Sequence, residues 1–311
     1  MAVVVALALL AAGLVAAGLR LTSSGAQVHP AGRAALPVKP AGYLGVYENG
    51  ALASYQPISD FARVTGMQPN LAGYYSGWAE QFKVGFAATA LRHGAVTIVQ
   101  IDPAGASIAA IAAGDFDGYL RSYADAVRDF GHPVVIGFGH EMNATWYPWG
   151  YQHVRPATFV AAWQHVVDVF RQQGAGNVTW LWTIQADIPG SGPISSWWPG
   201  AKYVTWVGID GYYYRRASTF ATVFGSTIAQ LRSFSGKPVL LSETAVGPMA
   251  GQAEKIPDLF RGMAAYQTLG LVWFDIAQHQ GIYHQDWRIE DSQAAEQAFR
   301  RSARQYLRHR R

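Results

Sequence analysis

Eight short runs of apolar, β-branched and aromatic residues recur along this chain, at 42–47, 70–75, 95–101, 133–138, 177–184, 204–210, 237–242 and 271–276. They are hydrophobic at nearly every position rather than at alternate ones, as in parallel strands buried on both faces. Longer amphipathic stretches separate them. Phe116, Tyr119, Leu120, Tyr123, Val127 and Phe130 recur at helical spacing, with Asp115 placed to cap the helix. Phe159, Val160, Trp163, Val167 and Phe170 form a second stripe, between Pro156, suited to a first turn, and Gly174, suited to a helix end. Asp291 or Ser292 is placed to cap a last helix. Eight strand–helix alternations predict one α/β domain over 42–311, a (β/α)8 TIM barrel. The alternative, a doubly wound open sheet, normally has a Gly-rich phosphate turn after its first strand, and Tyr47-Glu48-Asn49-Gly50 is no such turn.

The N-terminal residues read as an address. Residues 2–19 are an uncharged apolar run, followed by Arg20 and a small polar stretch, so 1–26 reads as a signal peptide or an N-terminal membrane anchor. No Lys or Arg precedes the run, and 27–41, rich in Pro, Ala and Gly, reads as a linker. The expected location is secreted or extracytoplasmic, with possible membrane or cell-surface association through this segment. The chain has no cysteine, which excludes disulfides, thiol nucleophiles and Cys-ligated zinc. Its net charge of +4 is concentrated at the C-terminus, where Arg300, Arg301, Arg304, Arg308, Arg310 and Arg311 read as a solvated helix face or as attraction to anionic polymers or lipid headgroups. No nucleic-acid motif is present, and a monomer is expected.

The active site of a TIM barrel lies where the strands end. Strand four runs into His140-Glu141-Met142-Asn143, then Trp146-Tyr147-Pro148-Trp149, and strand seven ends in Ser242-Glu243. Only 14% of residues are charged, so a Glu closing an apolar strand calls for a reason. The bland reading is an ion pair at the barrel rim. Two such Glu, with aromatics beside them, favour glycoside cleavage: one protonated carboxyl assists the leaving oxygen, and one carboxylate attacks the anomeric carbon. The 11 Trp suit a sugar cleft, since pyranose rings stack on flat aromatic faces. His140-Glu141 is not the zinc-protease pattern, because Ala144 stands where the second His belongs. His279 and His284 read as loop histidines or substrate contacts, and Trp197 and Trp198 as subsite walls or core.

These motifs, with Val207-Gly208-Ile209-Asp210-Gly211-Tyr212 and Val272-Trp273-Phe274, resemble glycoside hydrolase family 26, retaining β-glycanases of the β-mannanase type. The resemblance spans most of 42–300 and implies Glu141 as acid/base and Glu243 as nucleophile. It implies substrate contacts for His140, Asn143, Trp146 and Trp149. Tyr212 becomes the partner of the nucleophile and Trp273 the aromatic platform at the cleavage point. It implies a polysaccharide or oligosaccharide substrate and no metal or organic cofactor. Two departures concern the substrate: Ala144 stands where many members have Gly, and Gly137 where several have Arg. A non-catalytic glycan-binding barrel and a transglycosylase serving exopolysaccharide processing are the competing readings.

Overall fold

The computed structural model describes residues 36, 42–186, 192–278 and 285–308. The signal or anchor segment, nearly all of the linker, and His279 and His284 lie outside the described residues. Eight parallel strands close into a barrel in sequence order: β1 (Tyr43–Glu48), β2 (Leu71–Gly77), β3 (Val96–Asp102), β4 (Val134–Phe138), β5 (Val178–Gln185), β6 (Trp206–Tyr213), β7 (Val239–Val246) and β8 (Gly270–Asp275). β1 pairs with β8 from Tyr43↔Gly270 to Glu48↔Asp275, which completes the ring.

The helices are α1 (Gln56–Thr65), α2 (Val84–Arg92), α3 (Ile108–Ala113), α4 (Asp117–Phe130), α5 (Pro156–Gln172), α6 (Ser226–Arg232), α7 (Gln252–Ala265) and α8 (Gln293–Arg308). The stripe at 116–130 does form a helix, but Asp115 does not cap it. The chain first makes the short α3, capped by the Ser107 side chain, which accepts from the amide of Ala110, and α4 begins two residues past Asp115. Ser292, not Asp291, caps α8, accepting from Ala295 N at 3.3 Å. Pro156 opens α5 as its position predicts.

One alternation is incomplete. Between β5 and β6 the described residues hold only a 3-10 turn, Ile194–Trp197. The described part of this stretch carries Gly192, Pro193, Pro199 and Gly200, which do not sustain a helix. Large rings cover the flank instead. Trp197 is buried against Phe159 of α5, while Trp198 packs on Trp182 of β5 and on Phe234. Both therefore belong to the core.

Two apolar layers form. The outer one fills the space between strands and helices; the inner one fills the lumen with Tyr43, Tyr47, Leu71, Ile98, Val135 and Leu181 among others. Tyr43 meets Trp206 at 4.9 Å, and Tyr47 stacks on Tyr75 at 4.8 Å, so the lumen below the mouth is packed rather than open. Gly73 leaves the room the Tyr47 ring occupies.

Side chains alternate between these layers along each strand. In β8, Val272 and Phe274 face the lumen while Trp273 faces α8, where it meets Phe299 edge-on at 5.4 Å. Trp273 is fully buried, and its indole N–H donates to Asp275 Oδ1 (3.0 Å) and to the carbonyl of Trp287 (3.1 Å). It is a core residue and not a sugar platform. Replacing it with Ala should lower stability by about 3–5 kcal/mol, the usual cost of deleting a buried Trp, as read by chemical denaturation. A variant as stable as the parent would contradict this placement.

Candidate active site

β7 contains one more residue than β6 opposite it. Gly208 pairs with Leu240, yet Asp210 pairs with Glu243, so three steps along β7 match two along β6. Such a bulge interrupts strict alternation. Ser242 and Glu243, neighbours in sequence, both reach lumen groups: Ser242 Oγ donates to Asp210 Oδ1 at 2.6 Å, and Glu243 accepts from Tyr75 and Tyr212. Gly208 leaves the space in which Ser242 and Thr183 approach each other.

Glu141 arrives from the opposite wall through a strained turn. Gly139 and Glu141 both have positive φ, 55° and 54°; the first suits glycine, the second is costly for a glutamate. Hydrogen bonds hold the turn. Glu141 N donates to Thr183 O at 3.0 Å and Ala144 N to Glu141 O at 2.9 Å. The Asn143 amide bonds both backbone groups of Gln185, donating to its carbonyl (2.8 Å) and accepting from its N–H (2.9 Å). With its amide nitrogen turned towards the acid, Gln185 also donates to Glu141 Oε1 at 2.5 Å and to Asp210 O at 3.2 Å. Trp146 Nε1 donates to Glu141 Oε2 at 2.6 Å.

Oxygens of Glu141, Asp210 and Glu243 thus lie within 4.8 Å of one another, and all three residues are buried. Close carboxyl groups out of water cannot all stay charged. Burial, opposed by the His140 charge and reinforced by Glu243, pushes Glu141 up to about 7. Burial, then the charges of Glu243 and Glu141, holds Asp210 well above the usual carboxylate range. Its Oδ2 is buried without a hydrogen-bond partner among the described residues and is the natural place for the proton. Burial raises Glu243 as well, but His140 and the two tyrosine hydroxyls act in the other direction. Glu243 and Glu141 each accept on both oxygens, Glu243 from two phenols and Glu141 from the Trp146 indole and the Gln185 amide.

Three oxygens so spaced could also face a cation. The surrounding groups do not suit one: Tyr75, Tyr212, Trp146 and Gln185 direct hydrogens at these oxygens, whereas a hard cation is ringed by oxygen acceptors.

His140 is buried beside the glutamates. Its Nδ1 lies 2.9 Å from Asp102 Oδ1 and its Nε2 3.1 Å from Tyr147 Oη. Burial alone would lower its pKa, but Asp102, Glu141 and Glu243 outweigh that and raise it to about 9, so the ring is cationic at neutral pH. Trp149 is also buried, stacked on Tyr147 at 4.4 Å with its N–H on the carbonyl of His140 (2.8 Å). It braces the histidine from behind and does not line a sugar subsite. Asn143, likewise buried, has its amide engaged by Gln185, so it locks the loop rather than meeting substrate. Trp146 is different: 53% exposed at the rim, with a ring face available to a sugar.

The structure thus brings Glu141, Glu243, His140, Trp146 and Tyr212 together and sets Asn143, Trp149 and Trp273 behind them. Tyr75, Asp102, Tyr147 and Gln185 were not singled out as site residues from sequence, and Asp210 only as part of a motif. Asp102 and Gln185 end strands three and five, and Tyr75 lies near the end of strand two, so the strand-end criterion used for the glutamates reaches them too.

The sequence profile described as glycosyl hydrolase family 26 matches residues 73–303. Endoglucanase H of Acetivibrio thermocellus is 27% identical over 268 residues, 81% of this chain but 29% of that protein. A β-1,3-xylanase of a Vibrio species is 23% identical over 137 residues, covering 43% of this chain and 28% of the relative. The chain therefore spans less than a third of the length of these relatives. Among solved structures, an endo-β-1,4-mannanase from Cellulomonas fimi superposes with a TM-score of 0.67 at 17% identity, over 86% of this chain and 71% of that one. A β-mannanase from Bacteroides ovatus gives 0.62 at 16%, over 85% and 89%. At such identities the structures establish a shared fold, while the profile match over most of the chain places it plainly: this protein belongs to glycosyl hydrolase family 26.

Proposed function

We propose that the chain is an exported, endo-acting β-glycanase that works by double displacement, with Glu141 as acid/base and Glu243 as nucleophile. The observation that carries this reading is the unequal treatment of two carboxyl groups with oxygens within 4.8 Å of each other. Carboxyl groups about 5–5.5 Å apart leave room for a covalent intermediate, whereas inverting pairs need about 6.5–9.5 Å to admit a water. Glu141, held up to about 7, keeps a proton for the leaving oxygen. Glu243, with two phenol donors and the His140 cation, offers the charged oxygen.

In the first step Glu243 attacks the anomeric carbon as the glycosidic bond breaks and the Glu141 proton passes to the departing oxygen. In the second, Glu141, now a carboxylate, takes a proton from water, whose oxygen displaces Glu243 and restores it. Tyr212 and Phe274, rings 5.8 Å apart, line the mouth around the reacting sugar, and Trp146 offers a stacking face at the rim.

The similar proteins are named for different substrates: an endoglucanase, a β-1,3-xylanase and mannanases. The sugar is therefore decided by assay of purified protein on mannan, mixed-linkage glucan, β-1,3-xylan, xylan and laminarin. Role assignment has its own readout. Glu141→Ala should slow turnover by about 10²–10⁴-fold, the usual worth of a general acid–base group, and azide should restore breakdown as a β-glycosyl azide. Glu243→Ala should be inactive, any azide product being the α-anomer. Exchanged anomers would reverse the roles, and glutamine variants as active as the parent would leave no catalytic pair.

A second expectation concerns pH. kcat/KM should fall on the alkaline side as Glu141 loses its proton near 7, and on the acid side as Glu243 gains one above the ordinary 4.5. Asp102→Asn removes the anion that keeps His140 charged, so burial then favours the neutral ring. Without that cation Glu141 holds its proton more tightly, and the alkaline limb should move to higher pH. A limb that stays put or moves down would show that Asp102 does not act through the histidine charge.

A further inference from the structure

Each helix of this barrel runs back from the mouth to the opposite end, where the strands begin. Six of the eight α-helices carry an arginine in the last turn: Arg63, Arg92, Arg128, Arg171, Arg232 and Arg308. Cations there complement the negative helix terminus. That accounts for one charge per helix, and this end has more. Lys202 and Lys237 lie in the loops leading to β6 and β7, and Arg261, Arg301 and Arg304 in the closing turns of α7 and α8. The last two turns of the α-helices and the loops entering the next strands together hold eleven Lys and Arg against five carboxylates, Asp60, Asp125, Asp129, Asp168 and Asp258.

Those carboxylates are taken up locally, by Arg63, Arg128, Arg171 and Arg261. Arg171 and Arg232 donate to the backbone carbonyls of Lys202 and Lys237, and Arg308 to that of Arg304; these contacts orient the guanidinium groups without neutralising them. Arg301 and Arg304 are exposed. The other end of the barrel is lined by Glu48, Asp102, Glu141, Asp210, Glu243 and Asp275 at the ends of the strands; burial holds Glu48, Glu141, Asp210 and Asp275 above the usual carboxylate range, and His140 adds a cation beside them. The surplus of persistent positive charge therefore lies at the foot.

The chain enters at the basic end. Gly42 packs on Leu307 of α8 at the foot of β1. Ahead of it come the linker at 27–41 and the apolar run at 2–19. Among the described residues no helix is long and apolar enough to cross a membrane.

We propose that the arginine-rich end of the barrel docks on an anionic membrane surface, holding the carboxylate-lined mouth away from the bilayer and open to glycan. A surface rich in phosphatidylglycerol or another acidic lipid attracts such a face within roughly a Debye length, and because the mouth lies at the opposite end of the barrel, attraction at the foot also sets the orientation. The proposal uses the anchor reading of the N-terminus for proximity only, and the experiment separates the two.

Full-length protein is mixed with vesicles of phosphatidylcholine alone and of phosphatidylcholine with phosphatidylglycerol, and amide hydrogen exchange is followed. Association with the neutral vesicles reports on the apolar run. On the anionic vesicles, amides at 301–308, 131–133 and 233–238 should exchange several-fold more slowly than on neutral ones. The difference should vanish at about 0.5 M salt, where the Debye length falls to a few ångströms. The triple variant Arg301→Gln, Arg304→Gln, Arg308→Gln should lose the protection at α8 while hydrolysing soluble substrate normally. Equal protection on both vesicles, protection that survives salt, or protection at the mouth would overturn the proposal. So would protection by soluble polygalacturonate but not by anionic vesicles, which would make the partner an acidic polysaccharide.

Discussion

The extra residue in β7 is the constraint on which the site rests. Without it, alternation would send either Ser242 or Glu243 into the helix layer. With it, Ser242 fixes Asp210 and Glu243 meets Tyr75 and Tyr212 in the same plane of the lumen. Every electrostatic property of the centre follows from that crowding. Burial and the two glutamates beside it hold Asp210 well above the usual carboxylate range. Burial raises Glu243 too, and the His140 cation together with two phenols, supplied by β2 on one side and β6 on the other, opposes that rise.

The acid side solves the opposite problem. Glu141 leaves β4 with a backbone conformation that a glutamate does not choose for itself, and the cost falls on the Asn143–Gln185 lock and the bond to Thr183 O, which tie the loop to β5. Behind it, Trp149, Tyr147, His140 and Asp102 form a continuous column from loop to β3. The column places a cation beside two carboxyl groups that burial would otherwise over-protonate. Burial and the imidazolium pull in opposite directions, and their balance leaves Glu141 near neutrality instead of far above it.

Much of this was legible in the residues. The eight apolar runs fall on the eight strands with ends shifted by at most four residues, because parallel buried strands leave an unbroken hydrophobic signal. The two glutamates stood out because charge is scarce at strand ends. Errors arose where a contact depends on which way a side chain points. Trp273 and Phe274 are adjacent aromatics, and only strand parity tells the core ring from the lumen ring. Trp149 shares a loop with the acid, yet the turn at 139–141 folds its ring inward while leaving Trp146 outside. The bulge in β7 carries no local sign either, since Leu240-Leu241-Ser242-Glu243 reads the same with or without an extra residue in the ladder. The lack of an α-helix between β5 and β6 among the described residues was more accessible, for the prolines and glycines of 192–200 argue against one.

The two ends of the barrel obey the same electrostatics with opposite results. At the mouth, carboxyl groups are gathered where water is excluded, and their repulsion is converted into shared and shifted protons. At the foot, guanidinium groups are gathered where water is plentiful, so their charge persists and projects into solvent. Helix direction links the two, since each helix that ends in arginine returns the chain from a strand end that helps build the mouth. The axial charge asymmetry of this (β/α)8 chain therefore comes mainly from the foot, where dipole-complementing arginines stay charged. In this chain α8 enlarges that asymmetry beyond what helix capping needs, with Arg301, Arg304 and Arg308 on its exposed side, next to the point where the chain enters the barrel.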